Sequence, residues 1–532
     1  MQRNPHARRF AVLSTALAGS VLVAACGGSS GGGGGGAASN AGPTDHVLHL
    51  SFLEDPGQPP DPDIYYAGQG LILTTNTYEG LLTYKGGTAT PTLEPSLATS
   101  WTASPDNKVF TFKLRQGVTF HDGTPFTSAA IKASFDRRAA VNQGPAYMVS
   151  DVASVTTQGD YAATITLKSS NSAFLTYLAA AYGPKMMSPT GLAAHKGKDN
   201  DQTYLLTHDL GTGPYTLTDA EVGSKYALAA YDKYWGAKPY FTTVDLPVIT
   251  DTSSQQLQFN NGQLALILHD LPSSAVKSYL SNKKFNSYTL PTMISEYLYA
   301  NPTKGFLSKE SNRQALLKAI NVDQIVQQAY FGRGTKATQV YPANMMPLQY
   351  AKQAISYDTS ALKTAVSSAP GSEKTITIGY DSSQPDNQIV SNLISAELAP
   401  LGLTVKVQSY PTSQIFGWIS DPKGAPDLLA TLGWPDAPSP YTWGHISFDA
   451  DGGLNYLHCS SPTTTKQLAT ALASGKPGDF SDAAISAFDT GCWLNMVNVT
   501  DFMVAQPWLK GVEAAHIVSN PNTLMLAKLS VG

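Results

Sequence analysis

An α/β fold spread over more than one domain is what the sequence predicts, and three observations predict it. The chain has 532 residues, too many for one ordinary core. Over residues 375–407 an alternating strand, a helical stretch, a Gly stop and a second strand follow one another. Such a β–α–β unit makes a parallel pair through a right-handed crossover. A second strand–helix–strand run covers 244–249, 252–259 and 264–267, broken by Asn261-Gly262.

Composition narrows the partners. Hydrophobic residues make up 42% of the chain but charged ones only 14%, well below the usual quarter, so the surface leans on Ser, Thr, Asn and Gln. A net charge of −4 with 35 Lys and Arg assembles no basic face, which argues against nucleic acid. Arg3, Arg8 and Arg9 precede an apolar run over 10–23 that is too short for a stable span. It ends Val23-Ala24-Ala25-Cys26, which resembles a bacterial lipobox: small residues before a Cys let a peptidase read an extended chain and leave the thiol free for a lipid. A plain secretory signal with an incidental Cys is the alternative, and Arg8-Arg9 as a twin-arginine signal fits its flanks poorly. Removing these three Arg takes the net charge from −4 to −7, compatible with neutral or cationic small ligands. Residues 27–44 are nearly all Gly, Ser, Ala and Asn, a tether that buries nothing. Gly27-Gly28-Ser29-Ser30-Gly31 matches the hydrolase pattern G-x-S-x-G, but without a strand before it or a helix after it the match is accidental. Cys459 and Cys492 are the remaining cysteines. In an exported chain they most simply form one disulfide, worth about 3–4 kcal/mol for a loop of about 33 residues; two buried thiols are the alternative.

Along the chain, 46–50 alternates as a first strand. A turn-rich loop with Glu54, Asp55, Asp61 and Asp63 leads to Tyr65 and Tyr66, which either line a cleft or serve packing. Residues 70–82 read as a helix into a strand. After a strand at 97–102 and a turn at Pro105-Asp106-Asn107, Phe110, Phe112 and Leu114 alternate with Val109, Thr111 and Lys113. His121 to Pro125 is a turn in which His121 bonds backbone, and Thr127 can cap a helix burying Ile131 and Phe135. A helix over 174–182 and strands at 211–215 and 227–231 follow. The helix over 312–319 restarts at Asn321 with Gln324 in a capping-box spacing. In the β–α–β unit the helix over 387–399 buries Ile389, Leu393 and Leu398, and Gly402 stops it. The apolar run 427–432 is a buried strand ending at Gly433-Trp434-Pro435-Asp436. Ligands of open α/β sheets bind beyond the carboxyl ends of strands, so Trp434 and Asp436 are the leading site candidates. Tyr441 and Trp443 would add amphipathic walls; Asp436 as a Pro-flanked turn residue and one or two of the aromatics as core are the alternatives. For an enzyme the sequence offers no HExxH, CxxC or P-loop, and no two of its ten histidines stand in ligand spacing. His445 and His458 flank the cleft segment and keep a metal chelate open as ligand, and Asp449 and Asp451 hint at a calcium loop whose pattern stops there.

Five segments together resemble one family. They are the stretch from Pro95 to Arg138; Tyr78-Glu79-Gly80-Leu81-Leu82; Tyr234-Trp235-Gly236-Ala237-Lys238-Pro239; RQALLKAINVDQIVQQAYFGRG from Arg313 to Gly334; and the GW-x-x-D segment at Gly433 to Pro440, one residue short. Ala130 departs from the usual acid three positions after the capping Thr. The chain resembles family 5 extracytoplasmic solute-binding proteins, the oligopeptide/dipeptide/nickel-binding class that feeds ABC importers. The resemblance implies a type II two-lobed α/β binding-protein fold of cluster C, which closes by hinge motion over a small ligand and presents it to ABC permease subunits. It also implies an Asp436 that pairs with a peptide α-ammonium, no catalysis and no cofactor. The expected layout is a signal peptide over 1–25, a tether over 26–45, lobe I over 46–82 and 207–288, and an inserted subdomain over 83–206. Lobe II follows over 289–497 and the chain returns to lobe I over 498–532. The expected protein is a monomer outside the cytoplasm, held to the membrane by a lipid on Cys26. An oligopeptide or dipeptide is the favoured ligand, with a sugar, siderophore or metal chelate next; a secreted hydrolase or a sensing receptor are the readings from other classes.

Overall fold

Alternating and fully apolar strands sort into three main sheets in the computed structural model, which describes residues 42–532 except 270, 354 and 521. The signal segment, Cys26 and all but the last four residues of the expected tether lie outside the described residues. In the first sheet the strand Val47–His49 lies parallel to Thr243–Pro247, followed by Lys225–Ala230 and Tyr215–Glu221. The period-2 stretch Val109–Leu114 sits inside a separate antiparallel sheet, between Ala98–Ala103 and Ala162–Leu167, with Val152–Thr157 outermost. Its Phe110, Phe112 and Leu114 are buried while Val109 and Lys113 face solvent, as the alternation requires. The third sheet runs Leu266–Ile267, Trp493–Ala505, Asn286–Ala300, Leu428–Gly433, Thr375–Asp381, Thr404–Tyr410, with Gly334–Lys336 added on Trp493–Ala505. The β–α–β unit is parallel, and Leu428–Gly433 also runs parallel to Thr375–Asp381.

Two long strands tie the lobes together. Leu290, Met503 and Ala505 pack with Leu48, Leu228 and Leu246 in the first-lobe core. Further along the same strands Ile294, Leu298, Leu494 and Met496 pack with Ile376, Ile378 and Leu428 in the second. The ladder slips between Pro291 and Ile294, where Thr292 Oγ1 donates to Val499 O at 2.6 Å. The expected boundaries at 289 and 497 therefore fall inside strands, not between elements. Leu524, Leu526 and Leu529 return to the first-lobe core.

Local contacts correct two expectations and decide between the alternatives left for Asp61 and Asp63. Thr127 does not cap the signature helix: Ala129–Val141 starts later, and the hydroxyl of Ser128, its first flanking residue, donates to Gly159 O at 2.7 Å instead. In Pro385–Leu398 the buried residues are Asn387, Val390, Ser391, Ile394 and Leu398, so Ile389 is exposed and Leu393 only half-buried. The inner face carries two polar residues, one of which donates to Ala430 O at 3.1 Å, and hydrophobicity alone misplaces its phase. Asp61 and Asp63 are not open cleft acids: both are buried against Arg137 and Arg138 of the signature helix. Glu79 accepts from Trp235 Nε1 at 2.9 Å, Thr212 Oγ1 at 2.8 Å and Tyr234 OH at 3.1 Å, which makes the aromatic turn at 234–239 a structural corner. Cys459 and Cys492 form a disulfide with a Cα–Cα distance of 6.3 Å.

Candidate functional site

Three parallel strands of the second lobe end at one place. Thr375–Asp381 ends in Asp381, Thr404–Tyr410 leads to Thr412, and Leu428–Gly433 leads to Trp434 and Asp436. These residues form one wall of a cavity of about 270 Å³. The first lobe supplies the other wall, including Glu54, Asp55, Tyr66 and Tyr182. The sheet geometry thus places the site at the crevice beyond the strands' carboxyl ends.

Asp436 is 7% exposed. Its Oδ2 accepts from Tyr147 OH at 2.8 Å and, in a shorter contact, from Tyr66 OH. Burial pushes its carboxyl up to about 6, against the opposing pull of the Tyr66 and Tyr147 hydrogen bonds and the charge of His445. Both hydroxyls come from the first-lobe side, so the carboxylate bridges the two walls. A second bridge runs from Trp434 Nε1 to Tyr182 OH at 3.2 Å, and Tyr182 donates onward to Ala67 O at 3.0 Å. Gly68 packs beside the Trp434 ring: a Cβ there would lie 3.4 Å from Trp434 and 3.2 Å from Asn522 Nδ2.

The other predicted residues divide. Tyr66, Trp434 and Asp436 line the cavity; Tyr65, Tyr441 and Trp443 do not. Tyr65 belongs to the core cluster that also holds Phe110, Phe112 and Leu114, its hydroxyl accepting from the Gly70 N–H. Trp443 is fully buried, stacked on Tyr297 at 4.9 Å, and a Cβ on Gly433 would come within 2.7 Å of its ring. The helix Pro440–Phe448 explains the difference. Residues 441 and 445 share one face, where Tyr441 stacks on His445, and Trp443 faces inward.

The sequence reading missed Tyr147, Tyr182, Arg333, Asp381, Thr412 and Tyr456. Asp381 and Thr412 stand at strand ends and could have been found by the rule that found Trp434. The others carry no local signal. Among the histidines, His121 contacts Asp209 and bonds Gly213 O at 3.0 Å, His445 pairs with Asp449 at 2.9 Å, and His458 bonds Trp418 O at 2.6 Å. The described residues contain no His, Cys, Asp and Glu cluster of three that could hold a metal ion. No helix among them is long and apolar enough to cross a membrane.

Comparison with known proteins agrees with this geometry. The family model described as bacterial extracellular solute-binding proteins, family 5 Middle, matches residues 92–455. The probable D,D-dipeptide-binding periplasmic protein DdpA of Escherichia coli is 26% identical over 433 residues, 80% of this chain and 83% of that one. The nickel-binding periplasmic protein of the same organism is 22% identical over 488 residues, 87% and 91% of the two chains. Among solved structures, the periplasmic binding protein DppA of Helicobacter pylori with peptide STSA superposes with a TM-score of 0.77 at 21% identity, covering 91% of this chain and 98% of that one.

Proposed function

The chain belongs to the family 5 bacterial extracellular solute-binding proteins, the substrate-binding components of ABC importers, and from that premise we propose that its ligand is a short peptide whose α-ammonium is anchored by Asp436. The observation that carries this reading is the electrostatics of Asp436. It is a buried carboxylate on the cavity wall whose two side-chain hydrogen-bond donors are neutral hydroxyls. A desolvated carboxylate with no ion-pair partner among the described residues gains most from a charged, hydrogen-bonding partner. The dipeptide and peptide names of the relatives support the ligand class. In the same reading the two walls close over the peptide, and the chain works as a monomer held to the outer face of the membrane by a lipid on Cys26, delivering its load to a permease without catalysing a reaction.

The test is a thermal-shift screen of the full chain against di- to hexapeptides, oligosaccharides and nickel chelates. A ligand at 100 times its Kd stabilises the native state by about 2.7 kcal/mol. Peptides should raise the melting temperature, and Asp436→Ala should abolish the shift. A shift given only by sugars or chelates would overturn the peptide assignment.

A further inference from the structure

We infer that the cavity selects a peptide carrying a second positive charge, on a Lys or Arg side chain, over a zwitterionic or acidic peptide of the same length. This rests on the peptide reading above and deepens it.

Six carboxylates line the cavity, those of Glu54, Asp55, Asp381, Asp386, Asp436 and Asp501, against one guanidinium, Arg333, and the ring of His269. Asp501 and Asp386 have charged or ionisable partners. Asp501 bonds His516 Nε2 at 3.0 Å, and Asp386 holds Arg333 Nη2. Asp381 and Asp436 face the cavity with neutral donors only. Asp381 accepts from Ser383 N and Oγ at 2.9 and 2.8 Å and from Thr412 Oγ1 at 2.9 Å, and no ion pair reaches it among the described residues.

The single guanidinium is already spent. Besides Asp386, Nη2 donates to Ser273 Oγ at 3.0 Å. Its Nε–H is buried without a partner among the described residues, and it suits a neutral acceptor such as a peptide carbonyl. A ligand carboxylate placed there would meet a neutralised pair with Asp386 behind it.

The aromatic lining points the same way. Tyr456 is 4% exposed and lines the cavity. Burial first, then the neighbouring Tyr299, Asp381 and Asp436, raises the pKa of its hydroxyl. Its ring meets Phe416 edge-on at 5.5 Å, and Tyr66 meets Tyr182 at 5.3 Å. Aromatic faces around two unmatched carboxylates attract cations through the ring quadrupole. One positive centre is then met by Asp436 and a second by Asp381, on a cavity wall that also carries Tyr456.

Calorimetric titration of the full chain with Lys-Lys, Ala-Ala, Glu-Glu and spermidine tests this. Lys-Lys should bind at least tenfold tighter than Ala-Ala, Glu-Glu should not bind, and Asp381→Asn should cut the Lys-Lys to Ala-Ala ratio several-fold. Ala-Ala or Glu-Glu binding as tightly as Lys-Lys overturns the charge inference and leaves the peptide reading standing. Spermidine binding with no peptide bound overturns the peptide reading and keeps the charge inference. An unchanged ratio in Asp381→Asn removes Asp381 from the site, and no binding by any of the four overturns both.

Discussion

Two buried acidic regions of this molecule are solved in opposite ways. In the first lobe Arg137 Nη1 and Nη2 donate to Asp61 at 2.8 and 2.5 Å, and Nη1 donates to Asp63 at 2.7 Å. Arg138 Nε donates to Asp63 at 2.7 Å, and its remaining nitrogens donate to the carbonyls of Tyr182, Gly183 and Pro62. At the cavity, the hydrogen bonds that Asp436 accepts from side chains among the described residues come from the hydroxyls of Tyr66 and Tyr147. The first region is complete without a ligand; it pins the loop that carries Tyr66 and the backbone of Tyr182. The second keeps a charge in a dry place with neutral donors. Burial alone therefore does not mark a functional carboxylate, and the lack of an ion-pair partner among the described residues does.

The largest expected effect breaks the complete region. Arg137→Met leaves Asp61 with no guanidinium and should cost about 3–5 kcal/mol of stability, the usual loss when one member of a buried pair is removed. Urea unfolding measures it, and a loss below about 1 kcal/mol would erase the distinction between the regions.

The opposite sign is expected at the cavity. The Asp436 carboxyl moves from an ordinary 3.8 to about 6, so the folded chain keeps a proton that the unfolded chain releases between those values. Stability therefore falls as pH rises from about 4 to 6. Asp436→Asn removes that fall and should stabilise the ligand-free chain by about 1–3 kcal/mol at pH 7.5, with no gain at pH 4. The same variant should lose peptide binding. A destabilised Asp436→Asn at neutral pH would mean that the carboxylate is structural.

Next in size is the pH dependence of binding in the unaltered chain. Only the ionised Asp436 pairs with an ammonium, so affinity should fall as pH drops through about 6, roughly tenfold between pH 7.5 and 5. Titration calorimetry across that range reads it. A flat profile would detach Asp436 from the ligand.

Much of the fold was legible because its signals are local. Phe110, Phe112 and Leu114 show their period, and Gly402 stops a helix with φ of 95°, a conformation that favours Gly. The site was legible only where topology dictates it: a buried run ending in Gly433-Trp434-Pro435-Asp436 points its end at a crevice. Tyr65 and Tyr66 are neighbours of one type that face different ways, decided by Tyr65's contact with Gly70 and Tyr66's with Asp436. Tyr147 meets Asp436 across 289 residues, and no window of the sequence contains that contact.

That distant contact gives the smallest and most discriminating prediction. Tyr147 OH is one of two donors that hold the Asp436 carboxyl down against burial. Tyr147→Phe keeps the ring, which packs edge-on with Tyr177 at 6.0 Å, and removes only the hydroxyl. Losing one hydrogen bond to a charged group should weaken peptide binding at pH 7.5 by about 1 kcal/mol, roughly fivefold. It should also shift the midpoint of the binding profile upward from about 6, since the ionised form has lost a donor. A merely structural Tyr147 would lower affinity equally at all pH values. A shifted midpoint ties the hydroxyl to the charge of Asp436, and an unshifted one leaves Tyr66 alone in that role.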